Sequence, residues 1–137
     1  MPLADVRKVT DVALLVADAA RAVDFYKGKL GLELKRRDTG FAEFYLDSFV
    51  LAVWEAGDLA GAVGTSAGPR AGPHAMMAIR LETPEAVDAL YEELSARGVP
   101  FTGPPADYPW NARGAYFTDP DDNLWELYCW LGAPRTI

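Results

Sequence analysis

The chain is poor in cysteine, histidine, basic residues and long apolar runs, and each shortage excludes something. Its 137 residues include one cysteine and one histidine. A single cysteine, Cys129, cannot build an internal disulfide framework and suits a reducing, cytoplasmic setting. It lies in an apolar run, so it reads as core rather than as a nucleophile. With one histidine, a Ser-His-Asp triad would have to use His74, and no GxSxG elbow is present. Walker loops and dinucleotide fingerprints are also missing. No apolar stretch approaches the roughly 20 residues that cross a bilayer as a helix, and Met1 to Lys8 lack the apolar centre of a signal peptide. Lys and Arg number 13 against 20 Asp and Glu, a formal net charge of −7. Nucleic acid needs a concentrated positive face, and the short run Lys35-Arg36-Arg37 reads as a solvated strand end. The expected partners are therefore neither nucleic acid nor membrane.

What is present is a repeat. Half of the residues are apolar, enough for a core without staples. Asp11-Val12-Ala13-Leu14-Leu15-Val16 runs into a helical pattern from Asp18 to Tyr26. Met76-Met77-Ala78-Ile79-Arg80-Leu81 runs into another from Thr83 to Tyr91. Both helices carry the triplet Ala-Val-Asp, and they end at Gly31-Leu32 and Gly98-Val99. Such a repeat is one supersecondary unit used twice. In the first helix Ala19, Ala22, Val23, Tyr26 and Leu30 share a face, Asp18 is a ready N-cap and Gly31 a left-handed terminator. In the second, Thr83 caps, Pro84 takes the first helical position, and Val87, Leu90, Tyr91 and Leu94 form the apolar face.

The other apolar runs predict strands over 9–16, 32–37, 41–46 and 49–55, then 74–81, 99–102, 112–118 and 124–131. Asp47-Ser48 and Asp119-Pro120-Asp121-Asp122-Asn123 supply turn chemistry. Residues 56–72, rich in Gly and Ala, show no periodic pattern and are expected to be a linker. The segment Gly103 to Pro109 has three prolines, which exclude a central strand there. The expectation is an α+β fold with two βαβββ units, residues 8–55 and 73–131, whose curled mixed sheets enclose a cavity within one domain.

The order βαβββ-linker-βαβββ resembles the vicinal-oxygen-chelate superfamily of glyoxalases, bleomycin resistance proteins and dioxygenases. So do Val9-Thr10-Asp11-Val12-Ala13-Leu14, the Phe25-Tyr26…Leu30-Gly31-Leu32 helix ending, and the turn from Phe117 through Asp119-Pro120-Asp121-Asp122-Asn123 to Glu126-Leu127. The likeness spans about residues 8 to 131. It implies either a protein that binds a small molecule without metal or an enzyme with one divalent ion.

In the enzymes four inward strand positions hold the ion, and His and Glu are the usual ligands. Those positions fall here on Asp11, Ala52, Met76 and Glu126. Only Glu126 matches outright. Alanine offers no donor, and a methionine thioether suits a hard divalent ion poorly. A two-residue shift would bring in His74 and make an Asp11, His74, Glu126 set, displaced by roughly 6 to 7 Å along the strand. Metal-free binding is the expectation, with a metal-dependent lyase, epimerase or extradiol-type dioxygenase as the alternative. An interaction module with no small-molecule role has nothing in its favour.

Alternation puts Val50, Ala52 and Trp54 on one inward face, Met76, Ala78 and Arg80 on a second, and Leu124, Glu126, Tyr128 and Trp130 on a third. Trp125 points the other way, towards a helix. Trp110 follows the proline-rich segment, where bleomycin-binding relatives tend to carry a Pro-Trp pair. Glu126 either pairs with Arg80 or faces a cationic ligand. The candidate ligand-binding residues are Trp110, Trp54, Glu126, Tyr128, Met76, Asp11 and Arg80. Aromatic walls with carboxylates suit a flat, cationic molecule, and the resemblance implies a homodimer.

Overall fold

The computed structural model describes residues 3–6, 8–64 and 74–134. Contacts divide the chain into two compact units, Met1–Gly68 and Pro69–Ile137. The first holds a single helical turn, α1 (Leu3–Val6), then β1 (Asp11–Val16), α2 (Ala19–Val23), β2 (Leu34–Asp38), β3 (Phe41–Phe44), β4 (Val50–Glu55) and α3 (Ala56–Val63). The second holds β5 (Met76–Arg80), α4 (Pro84–Ala96), β6 (Ala106–Tyr108), β7 (Ala112–Thr118) and β8 (Leu124–Trp130). The sheet orders are β1-β4-β3-β2 and β5-β8-β7-β6. In each sheet the first pair is parallel and the others antiparallel. The two units therefore share one α+β plan, a four-stranded mixed sheet that is not closed, with a helix on one face.

The helices begin as the sequence dictates. Asp18 accepts a hydrogen bond from the Arg21 N–H at 3.2 Å, and Thr83 Oγ1 one from the Ala86 N–H at 3.1 Å. Gly31 and Gly98 end the helices at φ 74° and 87°, a region closed to most side chains. Helix α2 departs from the expectation by widening into a π-helix over Asp24–Lys29, where the Leu30 N–H reaches back five residues to the Phe25 carbonyl. The wider turn lets consecutive Phe25 and Tyr26 both enter the core, and Leu30 is left half-buried rather than on the core face. The second triplet behaves like the first: Val23 and Val87 are both buried.

Three expectations are corrected. Residues 56–63 form α3, ended by Gly64 at φ 77°, where a patternless linker is predicted; residues 65–72 of that linker lie outside the described residues. Alanine favours helix, and Leu59 and Val63 are one turn apart, but Gly57 and Gly61 hide the pattern. Residues 99–102 form no strand, and only Phe101 makes an isolated bridge, to Phe117. The strand in that position is β6, inside the proline-rich segment. It is an edge strand, where missing ladder donors do no harm, so the prolines exclude only a central place. Finally, Lys35-Arg36-Arg37 is not a strand end. It lies within edge strand β2, where exposed charge discourages pairing with other chains.

Candidate functional site

Strand β8 alternates cleanly. Trp125, Leu127 and Cys129 are buried on the helix side, and Leu124, Glu126, Tyr128 and Trp130 are half-buried on the helix-free side. Helix α4 packs on β7 and β8, and Trp125 stacks with Phe117 at 5.9 Å and 2°. The expected orientation of Trp125 holds, and so does the core reading of Cys129. Register fixes the rows of the helix-free face: Ala78 beside Glu126 beside Tyr116, then Arg80 beside Tyr128 beside Gly114, then Trp130 beside Ala112 beside Tyr108. Met76 belongs to the row of Leu124 and is exposed.

Trp110 is placed by a hairpin. The Asn111 N–H bonds to the Tyr108 carbonyl at 3.0 Å, with Pro109 and Trp110 as the central residues. Asn111 stands at φ 71°, so the three-residue loop ends on a left-handed residue that asparagine tolerates. The Asn111 side chain donates to the Ala133 carbonyl at 2.9 Å, and its own carbonyl accepts from Leu131. Trp110 thereby stacks on Tyr108 at 4.7 Å and 12°. Tyr108 meets Tyr116 edge-on at 5.6 Å, and Tyr128 meets Trp130 edge-on at 5.6 Å. Arg113, on the other face of β7, ties β6 to α4 through Asp107 and Asp88, each at 2.9 Å.

Glu126 does not pair with Arg80 as one expectation had it. The Tyr116 hydroxyl donates to Glu126 Oε2 at 2.5 Å instead. Burial, above all, pushes the Tyr116 hydroxyl well above the usual tyrosine range; the bond to Glu126, that carboxylate's charge and Tyr108 push the same way. The phenol thus stays a donor throughout the physiological range. Because its folded value is raised, the stability this proton confers is complete below about pH 10, the unfolded value, and is lost as pH rises towards the folded value. Alkaline titration of tyrosinate absorbance should show one phenol ionising last and together with unfolding. Tyr116→Phe should remove it, at a cost of about 1 kcal/mol near neutrality.

Tyr108 and Tyr116 are the residues missed from sequence. The signal for Tyr116 exists: a turn at 119–123 pairs Thr118 with Leu124, and counting back two residues sets Tyr116 opposite Glu126. Tyr108 belongs to the β6 hairpin, which the sequence pattern places elsewhere.

In the first unit, Trp54 is half-buried and meets Phe41 edge-on at 5.6 Å. Arg36 lies over the Phe41 ring at 4.8 Å and bonds Glu43 at 2.8 Å. Arg36, Phe41 and Trp54 line a hollow of about 340 Å³ with Asp38 and Thr39. Asp11 shares that sheet face but pairs with Val50, four residues from Trp54 along β4, and accepts a hydrogen bond from Thr10 at 2.6 Å. Asp11 and Trp54 are thus roughly 13 Å apart along the strands and are not brought together.

The donor set for a divalent ion is poor. Ala52 stands on the helix-free face of β4 beside Ala13 and offers no ligand atom, and Met76 offers only sulfur. His74 is exposed and lies four residues before Ala78, the neighbour of Glu126, or roughly 13 Å along the strand. Within either unit, among the described residues, no three His, Cys, Asp or Glu side chains gather around one point. The residues present do not fit the ion of the metal-dependent enzymes.

Comparison with known proteins agrees with this architecture. The family model described as Glyoxalase/Bleomycin resistance protein/Dioxygenase superfamily matches residues 8–127. The crystal structure of a glyoxalase/bleomycin resistance protein/dioxygenase from Nocardioides is similar at a TM-score of 0.87 with 38% identity, covering 98% of this chain and 95% of that one. A bleomycin resistance protein from Geobacillus stearothermophilus is 31% identical over 119 residues, 82% of this chain and 89% of the relative. The uncharacterized protein YraH of Bacillus subtilis is 32% identical over 124 residues, 88% and 97% of the two chains. Among the described residues no helix is long and apolar enough to cross a membrane.

Proposed function

Because the chain belongs to the glyoxalase/bleomycin resistance protein/dioxygenase superfamily, we propose that it binds and sequesters a flat, cationic aromatic molecule without a metal ion, as a cytoplasmic homodimer. The observation that carries this reading is the stacked Trp110–Tyr108 pair, 4.7 Å apart, in the same sheet as the Glu126 carboxylate. Exposed ring faces attract a planar cation through stacking and through the ring quadrupole. A carboxylate held by one tyrosine proton keeps acceptor capacity for a second donor. Two of the four positions that hold an ion in metal-dependent relatives carry Ala52 and Met76, which favours binding over metal-assisted chemistry.

Titration of tryptophan fluorescence with bleomycin and with proflavine tests the reading. Binding should appear as quenching, and Trp110→Ala should weaken it at least about tenfold, as loss of a central aromatic anchor does. A response that Trp110→Ala leaves unchanged sinks the proposed face. Protein purified without chelator should carry far less than one equivalent of transition metal. Stoichiometric metal that vanishes in Glu126→Ala would reverse the metal-free reading. Light scattering should give twice the chain mass.

A further inference from the structure

Arg80 ends β5, exposed, and its side chain makes no ion pair or hydrogen bond with another described residue. It lines a hollow of about 440 Å³ with Leu81, Glu82, Cys129 and Trp130. Register places it beside Tyr128, one row along from Glu126. Diagonal neighbours in a sheet lie roughly 7–8 Å apart, within reach of long side chains. The two opposite charges nonetheless do not close on each other, because Tyr116 holds Glu126 from the β7 side. Each keeps hydrogen-bonding capacity: the guanidinium has a fork of N–H donors suited to a planar carboxylate, and the Glu126 carboxylate has spare lone pairs. Tyr128 stands in Arg80's own row, and Trp130 stands in the next row on the side away from Glu126.

The geometry points to a zwitterionic aromatic ligand, with its ammonium group on Glu126 and its carboxylate on Arg80. This inference rests on the binding function proposed above and adds to it a required anionic group. Glu82, exposed in the same hollow, makes a doubly charged anion such as a phosphate monoester the poorer partner. A single carboxylate forms the paired bonds to Arg80 with one negative charge.

Fluorescence anisotropy of three matched probes on the full chain tests the inference. Ciprofloxacin is a flat aromatic zwitterion, its methyl ester keeps only the ammonium, and its N-acetyl derivative keeps only the carboxylate. The zwitterion should bind at least about tenfold more tightly than either derivative, as expected for an added charge-assisted contact. Arg80→Gln should reduce zwitterion affinity to that of the ester while leaving the ester unchanged. Glu126→Gln should reduce it to that of the N-acetyl form. Equal binding of zwitterion and ester, or an equal effect of Arg80→Gln on both, overturns the inference; if Trp110→Ala still weakens both at least about tenfold, the aromatic-binding function stands. Failure of all three probes overturns it too, and bleomycin binding that depends on Trp110 then shows that only the zwitterion requirement has fallen.

Discussion

Phe117→Ala should destabilise the chain by about 4 kcal/mol, the usual loss for a buried phenylalanine cut back to alanine. Phe117 is 1% exposed, on the helix side of β7. Its ring touches Phe101 at 5.2 Å and Trp125 at 5.9 Å, and Phe101 in turn meets Tyr91 of α4 at 4.8 Å. Truncation removes the middle of this aromatic chain and leaves a void between helix and sheet that rigid neighbours cannot fill. It also removes the side chain that anchors Phe101, whose bridge to Phe117 leads the backbone towards β6. Thermal denaturation should therefore show Tm lowered by roughly 10–15 °C. Phe117→Leu should recover more than half of the loss, because most of the volume returns. A Tm within about 3 °C of the parent would mean that the site collapses and that this chain of rings is not what secures α4.

The readable parts of this protein are those in which one residue fixes one geometry. Asp18 and Thr83 cap helices because their oxygens reach the free N–H groups of a first turn, and Gly31 and Gly98 stop them because a left-handed residue is needed there. Alternation in Leu124–Trp130 sets Glu126 and Tyr128 against Trp125 and Leu127 without any knowledge of the partner strands. The family resemblance follows from the same residues. What stayed hidden depends on tertiary company. Strand β6 survives among prolines because it is the last strand in the order β5-β8-β7-β6, and no local pattern announces that place. The partner of Glu126 depends on which residue of β7 lies opposite. A hydrogen-bonding tyrosine there is legible only by counting through the turn, because opposite charge offers Arg80 or a cationic ligand as partners without regard to register.

The duplicated plan also separates frame from chemistry. Both units keep the parallel outer pair and the buried Ala-Val-Asp valine. They differ at the last edge strand. In the first unit it is a basic ribbon, Lys35-Arg36-Arg37, held by Glu43; in the second it is a short strand that turns at Pro109 and presents Trp110. A frame that tolerates such different edges puts its specificity into the edges and loops, where substitution leaves the core untouched.

Asp119→Ala should have the second-largest effect on stability, about 3 kcal/mol, and a clear effect on binding. Asp119 is 4% exposed and Asn123 3% exposed, unusual for polar residues in a turn. Asp119 Oδ1 accepts from the backbone N–H groups of Asp121 and Asn123, each at 2.9 Å, and Oδ2 accepts from Asn123 Nδ2 at 2.9 Å. The Asp119 N–H bonds to the Asn123 carbonyl at 3.0 Å, and Asp122 sits at φ 63° within the loop so formed. Alanine at 119 strands these donors, and a buried donor left without a partner costs about 1 kcal/mol or more. Asp119→Asn keeps acceptor capacity at one oxygen and should lose roughly half as much. The same turn pairs Thr118 with Leu124 and so Tyr116 with Glu126. A slip of one residue would send Glu126 to the helix side and Trp125 to the helix-free side. Ligand affinity in Asp119→Ala, measured well below its lowered Tm, should therefore fall with the Tyr116–Glu126 contact, and the last-ionising phenol should disappear from the alkaline titration. Unaltered binding and titration in a folded Asp119→Ala protein would show that β7 and β8 find their register without the turn.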